Sequence, residues 1–441
     1  MTDIYVATGI ADITPDHPVY LAGYSARKKK SRGVTSQIKV QALKIEQSSL
    51  GKVLLILTYD LLEFGKPEIQ TIKDAISKEF QLNPEDVFIA ASHTHYAPNI
   101  THMFWVRDNP GYLEFVTTQT IATIRQCWGT RVPVTLWYGL GETVLGVNRR
   151  RLNSVKNRME IGSNPTGVTD PKVQVLGFRH ATENKWVVVL FRLSCHPVTV
   201  PPKDNTIHGD WPLEAVNCLN TLHKGQIAFL FLQGTAGNLN PRRFASHAER
   251  EHVTFPDVLR EGEQVANIIN EILSSKNDQI SDEQLSLRTI LSSLPLRKQQ
   301  PASKTELERM CRKLKNRYKR MWAKIQLEKM ASSGKPLPQT VQLTVHVIQI
   351  TPEMRIIGLG GEVLVEVGKL INDVITGENI LVAYANDVLS YIPSSQIVKE
   401  DMQYHRYEGE QSIIYYNLPA RYSEEIDTEI KEIKKIIEEF D

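Results

Sequence analysis

The stretch "FIAASHTHYAPNI", residues 88–100, ends an apolar run with two histidines one residue apart. In an extended segment, side chains at positions i and i+2 point to the same side, so His93 and His95 would present both imidazoles to one site. Alone, such a pair is a weak signal, because a histidine at a strand end is more often a hydrogen-bonded structural residue. A metal site therefore needs further donors elsewhere in the chain.

Two more donors follow apolar segments later in the sequence. His196 comes directly after "VVVLFRLSC" and stands before a proline that stops a strand. Glu362 follows the glycine-rich turn of "MRIIGLGGEVLVEVG", where glycine lets the backbone bend tightly around a ligand. Two imidazoles and a carboxylate are the donor set of a catalytic zinc that keeps one position open for water. The sequence thus predicts a metal site built at the ends of strands.

Short β-type runs alternate with helical stretches around these donors. "KVLLILTYDLL" precedes the helical "PEIQTIKDAISKEF", and "DVFIAAS" precedes the helical "YLEFVTTQTIATIRQCW". That order predicts an α/β architecture of mixed β-sheets flanked by helices, with functional loops at the strand ends.

The composition is that of an ordinary soluble globular protein. Of 441 residues, 41% are hydrophobic and 23% are charged, and the net charge is +2, so no global field favours nucleic acid. No apolar run approaches a membrane span, and the N-terminal segment lacks the basic and apolar regions of a secretion signal. Four scattered cysteines indicate reduced thiols. We therefore expect a cytoplasmic protein without nucleic acid or a transmembrane segment, its oligomeric state left open.

The segment "SKTELERMCRKLKNRYKRMWAKIQLEKM", residues 303–330, has apolar residues spaced by three and four and many Lys and Arg on the other face. This pattern predicts an amphipathic helix, inserted at about 303–332 into a catalytic domain spanning 1–422. It favours a solvated helix packed on the body; the alternatives are a basic surface in peripheral contact with a membrane, or a lid over the site. Residues 423–441 predict a C-terminal amphipathic helix packed on the domain.

Several short motifs resemble those of the neutral, non-lysosomal ceramidases. The Ser-His-Thr-His-Ser-Gly-Pro segment of that family is similar to "SHTHYAP" at residues 92–98, and its His-Pro-Thr and Pro-Gly-Glu segments resemble "CHPVT" and "GGE". Its Asn-Arg-Ser turn matches "NR" at residues 148–149, and a late segment with a tyrosine looks like "AYANDVLSYIPS" at residues 383–394. With "GIADITP" and "LAGY" near the start, the motifs occur in the same order over most of the chain. The resemblance implies a ceramidase-like catalytic domain.

The resemblance also implies a ligand set and catalytic groups. The zinc ligands of the family, for one Zn²⁺ per chain, fall on His93, His196, Glu362 and Tyr391. Tyr384 lies close to Tyr391 in the sequence and is the alternative fourth ligand. The second histidine of the motif falls on His95, which would carry protons, and the catalytic arginine falls on Arg149, which would stabilise an oxyanion. Without the resemblance, the run "NRRR" would favour Arg149 as a surface charge.

One segment departs from the ceramidase pattern. "GNLNPR", residues 237–242, stands where that family has Gly-Asp-Val-Ser-Pro-Asn, so Asn240 takes the place of a serine and Asn238 that of an aspartate. An amide is no nucleophile, which excludes a serine-first mechanism and leaves metal-activated water, with Asn240 as a hydrogen-bond donor to the substrate. The predicted substrate-side residues are Asn148, Gly237 and Asp210. Asp210 in "NTIHGDWP" either caps the next helix or orients a ligand histidine.

These features predict a zinc-dependent hydrolase that cleaves the C–N bond of an N-acylated substrate, either a small molecule or a lipid amide, within lipid metabolism. An esterase or peptidase-like amidohydrolase with the same centre is the nearest alternative. A homologue that binds a ligand without catalysis is the other alternative, favoured by Asn238 and Asn240. Since little chain remains for the C-terminal β-domain of the family, the identity of the acyl chain and amine stays open.

Overall fold

The computed structural model describes residues 3–439, except 276, 282–283 and 405. The strands are β1 (Ile4–Asp12), β2 (Gly33–Val34), β3 (Lys39–Gln47), β4 (Lys52–Tyr59), β5 (Val87–Ala91), β6 (Val132–Glu142), β7 (Gly146–Asn153), β8 (Arg158–Asn164), β9 (Lys172–His180), β10 (Trp186–Leu193), β11 (Thr206–Ile207), β12 (Ala228–Gln233), β13 (Leu239–Pro241), β14 (Asp278–Ile280), β15 (Arg288–Arg297), β16 (Thr340–Thr351), β17 (Met354–Leu359), β18 (Glu362–Val363), β19 (Glu378–Val382) and β20 (Tyr391–Ile392). Of these, β2, β11, β13, β14, β18 and β20 are short. The α-helices are α1 (Lys66–Phe80), α2 (Tyr112–Trp128), α3 (Asp210–Leu222), α4 (Phe255–Ser274), α5 (Lys304–Lys313), α6 (Arg317–Ser333), α7 (Val365–Val374), α8 (Ser395–Tyr404), α9 (Ser412–Tyr415), α10 (Ile426–Lys431) and α11 (Ile433–Glu438).

Two mixed sheets form the body. The larger has the strand order β12-β10-β9-β6-β1-β3-β4-β5, with β14 added on β6, and the smaller has the order β15-β16-β17-β19. The pairs β4/β5, β10/β12 and β17/β19 are parallel, whereas the other pairs within these sheets are antiparallel. The predicted α/β architecture of mixed sheets flanked by helices is therefore confirmed.

The two sheets pack face to face because their strands alternate. In β4, Leu54 and Ile56 belong to the core cluster that also holds Ile348 and Ile356 of the smaller sheet. Leu55 and Leu57 point the other way, into the cluster formed with α1 and α2. Each such fully buried side chain stabilises the fold by roughly 1.5–3 kcal/mol. On the other half of the large sheet, α3 and α4 cover the outer face through a third cluster.

The carboxyl ends of β5, β10 and β12 meet at one edge of the large sheet. Gln233, the last residue of β12, donates from Nε2 to the carbonyl oxygens of Ser92 at 3.3 Å and Cys195 at 2.8 Å. The amide of Ala91 donates to the carbonyl of Tyr384 at 3.2 Å, which links this edge to the smaller sheet. Nearby, β18 pairs in parallel with β20, so Glu362 lies beside Tyr391. The predicted donors thus converge at this edge.

The insertion connects β15 to β16, which are antiparallel neighbours. It folds as a pair of helices, α5 and α6, and not as one helix over 303–330. The helix breaks before Asn316, whose side chain accepts hydrogen bonds from the amides of Tyr318 at 2.9 Å and Lys319 at 3.1 Å and so caps α6. Trp322 lies on the buried face of α6, and its indole donates to the carbonyl of Leu418 at 2.8 Å. The insertion therefore packs on the segment that follows α9.

The C-terminal segment forms two short helices, α10 and α11, where one was expected. Five isoleucines bury them in the main core: Ile426, Ile430, Ile433, Ile436 and Ile437. Residues 1–2 and 440–441, which belong to the predicted domain and tail, lie outside the described residues. Among the helices of the described part of the chain, none is long and apolar enough to cross a membrane.

Candidate metal centre and pocket

Two buried imidazoles point their Nε2 atoms into the same space. The Nδ1 atom of His93 lies 2.9 Å from the carbonyl oxygen of Leu62, and that of His196 lies 2.7 Å from the carbonyl oxygen of Ala236. Because a carbonyl oxygen only accepts, each Nδ1 carries the hydrogen and each Nε2 is left with a lone pair. Within the part of the chain that the structure describes, both Nε2 atoms are buried without a hydrogen-bond partner. This is the orientation that a metal-ligating histidine adopts.

The carboxylate of Glu362 completes the cluster. Its Oε2 atom lies 3.1 Å from Nε2 of His93 and 3.4 Å from Nε2 of His196. The hydroxyl of Tyr384, whose ring stacks on His93 with centroids 3.9 Å apart, lies 3.4 Å from the same oxygen. With zinc–ligand bonds of about 2.0–2.2 Å, the ligand atoms of a tetrahedral site stand roughly 3.3–3.6 Å apart. Lone pairs and a carboxylate at such distances repel unless a cation lies among them, so these residues fit a four-coordinate metal.

His95 stands beside this cluster and faces the pocket. A ring nitrogen of each of His93, His95 and His196 lies within 4.8 Å of the others. Neither ring nitrogen of His95 has a hydrogen-bond partner among the described residues. Burial, followed by the neighbouring His93 and His196, holds the pKa of His95 well below its ordinary value. His95 is therefore neutral at pH 7.

The glycine of "LAGY" allows the chain to approach His95 closely. Gly23 adopts φ +90°, and a Cβ atom there would lie 2.4 Å from Nδ1 of His95. The ring of the next residue, Tyr24, packs against His95 with centroids 4.7 Å apart. Since only glycine combines this conformation with this contact, the motif forms one wall of the site.

Arg149 is a buried cation at the site and not a surface charge. It donates from Nε to Glu408 at 3.2 Å and from Nη2 to the hydroxyl of Tyr391 at 3.1 Å. Arg150 donates to the other oxygen of Glu408 at 2.7 Å. Burial raises the pKa of Glu408, but Arg150 and Arg149 outweigh it and lower that pKa to about 2. Glu408 therefore stays ionised and fixes Arg149 in place.

A cavity of about 220 Å³ opens in front of His95 and Arg149. Aromatic side chains form much of its wall: Tyr24, Trp105, Tyr391, Tyr407 and Tyr415. The other polar residues that line it are Ser25, His95, Arg149, Asn240, His247 and Arg250. This volume is below the range of about 300–1,000 Å³ that is usual for drug-sized ligands. The enclosed part of the pocket therefore suits a compact group.

Comparison with solved structures decides the fold. The neutral ceramidase of Pseudomonas aeruginosa superposes with a TM-score of 0.75 at 18% identity, covering 98% of this chain and 73% of that one. A ceramidase complexed with C2 superposes with a TM-score of 0.73 at 17% identity, covering 98% and 74%. The chain has the neutral ceramidase fold. No protein-family model matches it, and no curated protein sequence matches it either.

Within the neutral ceramidase fold, the two candidate tyrosines take different places. Tyr391, the expected fourth ligand, accepts a hydrogen bond from Arg149 and lines the pocket. Tyr384, the expected alternative, has its hydroxyl beside Oε2 of Glu362. Its backbone explains the difference, because Tyr384 adopts φ +55° between the two sheets and so turns its ring onto His93.

Asn148 and Gly237, two of the residues expected on the substrate side of the pocket, form hydrogen bonds with the backbone. Asn148 is buried, donates to the carbonyl of Val168 at 3.0 Å and accepts from the amide of Arg150 at 2.9 Å. Gly237 donates from its amide to the carbonyl of Val363, and a Cβ atom there would lie 2.8 Å from the carbonyl oxygen of Glu362. Neither residue lines the cavity in front of His95 and Arg149.

Asp210 is fully buried and lies outside the pocket wall. It is the first residue of α3 rather than its cap, and its carboxylate accepts from the amide of Thr199 at 3.0 Å and from the hydroxyl of Thr199 at 2.6 Å. These bonds hold the turn that follows His196. Asp210 therefore braces the segment of a candidate ligand without contacting its imidazole.

Asn240 lines the pocket. Its Oδ1 accepts from Nη1 of Arg149 at 3.4 Å, and its Nδ2 donates to the carbonyl of Ala245 at 2.8 Å. Because one amide hydrogen is already bonded, the second hydrogen on Nδ2 is the donor left for a ligand. Asn238 faces away and donates to Glu366 at 2.8 Å.

Two residues beside the candidate metal ligands, Tyr416 and Glu63, were not predicted from the sequence. The hydroxyl of Tyr416 donates to Oε1 of Glu362 and also lies 3.2 Å from Oε2 of Glu63. Burial, followed by the charge of Glu362, raises the pKa of Glu63 well above its ordinary value. Tyr416 thereby orients the free oxygen of the candidate metal ligand. The only sequence signal is the density of tyrosines in "YHRYEGEQSIIYYN", residues 404–417, which does not single out one of them.

Proposed function

We propose that this protein is a metal-dependent hydrolase that cleaves the C–N bond of an N-acylated substrate. One observation carries the proposal: two buried imidazole lone pairs and a carboxylate oxygen converge at the spacing of ligands on one metal ion. Nitrogen and carboxylate donors of this kind suit zinc. The neutral ceramidase fold supports an amide as the bond that is cleaved.

His93, His196 and Glu362 would hold one Zn²⁺, with Tyr384 as the fourth ligand in preference to Tyr391. The hydroxyl of Tyr384 stands at ligand spacing from Glu362, whereas that of Tyr391 is bonded to Arg149. A zinc ion in such a site lowers the pKa of a bound water to near 7 and polarises a carbonyl oxygen.

His95 accepts the proton of the attacking water and returns it to the leaving amine. Its low pKa keeps it neutral before the reaction, and its ring nitrogens make no hydrogen bond to any residue that the structure describes. No side-chain nucleophile is required, since Asn240 replaces the serine of the ceramidase motif.

Arg149 and Tyr391 stabilise the negative charge that develops on the carbonyl oxygen. The hydroxyl of Tyr391 accepts from Arg149, so its own hydrogen is available to the substrate. Glu408 fixes Arg149 from behind, which prepares both donors before the substrate binds. Asn240 lines the same side of the pocket.

Metal analysis of the purified protein tests the ligand assignment. We expect about one equivalent of zinc in the wild type, a sharp loss in His196→Ala, and full retention in His17→Ala, whose side chain is exposed. Tyr384→Phe should lower the affinity for zinc, whereas Tyr391→Phe should keep the metal and lose turnover. Full metal content in His196→Ala would refute the assignment.

A panel of N-acyl amides and the matching esters tests the reaction. Hydrolysis of the amides by the zinc-loaded wild type, lost in His95→Ala, supports the proposal. Cleavage of esters alone would establish the esterase alternative. Binding without turnover of either class would establish a homologue that only binds its ligand.

A further inference from the structure

Arg250 is a buried cation without a matching anion. Only 2% of the residue is exposed. It donates from Nε to the carbonyl of Ser246 at 3.3 Å and from Nη1 to the carbonyl of Val198 at 2.9 Å and the hydroxyl of Tyr24 at 3.3 Å. All three partners are neutral, and no ion pair joins Arg250 to an acid in the described part of the chain. Buried arginines are otherwise almost always paired.

The free end of Arg250 faces the pocket. Within the described residues, its Nη2 group makes no hydrogen bond, and the side chain lines the cavity in front of His95. Arg149 lines the same cavity, but Glu408 balances its charge from behind. No acid of the described residues contacts Arg250 directly, so its Nη2 offers a charged donor to a ligand.

The side chains that line the cavity leave it positively charged. They include two arginines and neither aspartate nor glutamate. Burial, followed by Arg250 and Arg149, lowers the pKa of His247 in the same wall to about 4. Asp210 lies within electrostatic reach of Arg250, but Thr199 and the amide of Trp211 already bind its carboxylate.

Tyr24 connects Arg250 to the candidate reaction centre. Its ring packs on His95, and its hydroxyl accepts the hydrogen bond from Arg250. A ligand group on Arg250 would therefore lie one tyrosine ring away from His95, within reach of a small amide whose C–N bond stands at His95.

We infer that the substrate is a compact amide that carries a carboxylate, and that Arg250 binds this carboxylate. The inference rests on the proposed function, since it specifies the substrate class of the same site. It accounts for the unpaired buried arginine, the lack of acids in the wall and the cavity of about 220 Å³, which holds a short acyl amide but only part of a long-chain lipid amide.

Matched substrates test the inference. N-hexanoylglycine carries a carboxylate on the amine side, and N-hexanoylglycinamide has the same shape without the charge. A dicarboxylic acid monoamide, compared with its methyl ester, places the carboxylate on the acyl side. We expect the wild type to prefer one charged compound over its neutral match by at least about tenfold in kcat/KM, since a hydrogen bond between two charged groups is stronger than one between a charged and a neutral group. The preferred pair identifies the side that Arg250 reads.

Variants assign the preference to Arg250. Arg250→Met should raise KM for the charged compound at least about tenfold, raise KM for the neutral compound less, and remove the preference. Arg243→Met, an exposed arginine of the same loop, is the matched control and should retain the preference. Equal kcat/KM for charged and neutral compounds in the wild type overturns the inference, even where Arg250→Met does not fold. A preference that persists in a folded Arg250→Met variant overturns it too.

Binding measurements separate this inference from the proposed function. If none of the amides is hydrolysed, the hydrolase proposal fails, and calorimetry still compares N-hexanoylglycine with N-hexanoylglycinamide on the intact wild-type protein. Binding of the charged compound alone, lost in Arg250→Met, supports the carboxylate site. Absence of binding by both compounds, or equal binding, overturns it.

Discussion

Glu408 stabilises the protein by neutralising two buried arginines at the pocket. Its side chain is 0% exposed and lies 3.2 Å from Nε of Arg149 and 2.7 Å from Nη1 of Arg150. Replacement by glutamine preserves the shape and removes the charge. Its pKa falls from 4.5 to about 2 in the folded protein, and a shift of this size corresponds to about 3 kcal/mol. Breaking a buried ion pair costs about 3–5 kcal/mol, which agrees with this value.

We expect Glu408→Gln to lower the free energy of unfolding by about 3 kcal/mol at pH 7. Because the folded-state pKa of Glu408 is depressed, its contribution is complete above about pH 4.5 and disappears as the pH falls through about 2. The difference between wild type and variant should therefore shrink at pH 3 to less than half of its value at pH 7. Urea unfolding at both pH values, followed by tryptophan fluorescence, measures it.

Glu432→Gln is the control for this prediction. Glu432 forms an exposed ion pair with Lys435, so its replacement should change the free energy of unfolding by at most about 1 kcal/mol. Turnover should also fall in Glu408→Gln, since Arg149 loses the partner that fixes it. Unchanged stability of Glu408→Gln at pH 7, or a difference that does not depend on pH, would refute the reasoning.

Two further predictions concern catalysis and the insertion. His95→Ala should keep its fold and metal but lose about a hundredfold to ten-thousandfold in single-turnover rate, with Asn240→Ala losing less; a covalent acyl adduct in the quenched protein would contradict this mechanism. Replacing residues 303–332 by a short linker should leave the metal content unchanged. It should alter the stability or the substrate preference, because Trp322 no longer packs on the segment after α9. It should also reduce sedimentation of the protein with anionic vesicles. If stability, substrate preference and sedimentation all stay as in the wild type, the insertion is a solvated appendage.

The sequence predicted the parts of the site that local patterns encode. Strand-end histidines follow an apolar run with a period of two, so the places of His93 and His196 can be read from short segments. Glu362 is marked by the glycines before it. These signals need no knowledge of the tertiary structure, and the resemblance then supplied roles for Arg149 and His95.

The remaining residues depend on contacts that no short segment encodes. Tyr384 and Tyr391 stand seven positions apart in one motif, and only the turn between the sheets at Tyr384 separates their roles. Tyr416 directly follows α9 and contacts Glu362, which lies 54 positions earlier in the sequence. Arg250 lies in a charged stretch, "SHAEREH", that is typical of exposed loops, yet it is buried against Tyr24. Asn148 and Gly237 lie outside the cavity lining, which adjacency to a motif in the sequence could not reveal.

The hydrogen bond from Tyr416 to Glu362 bears on when the centre forms during folding. About a hundred residues separate His93 from His196, and more than a hundred separate His196 from Glu362. Tyr416 follows Glu362 by 54 positions. Closing such long loops has an entropic cost that local contacts do not repay, so the centre forms only once both sheets and the segment after the insertion have docked. A metal ion that binds this assembled site and not the unfolded chain shifts the folding equilibrium by mass action. The supply of metal would then determine how much of the newly made chain survives as folded protein, in addition to how fast it works.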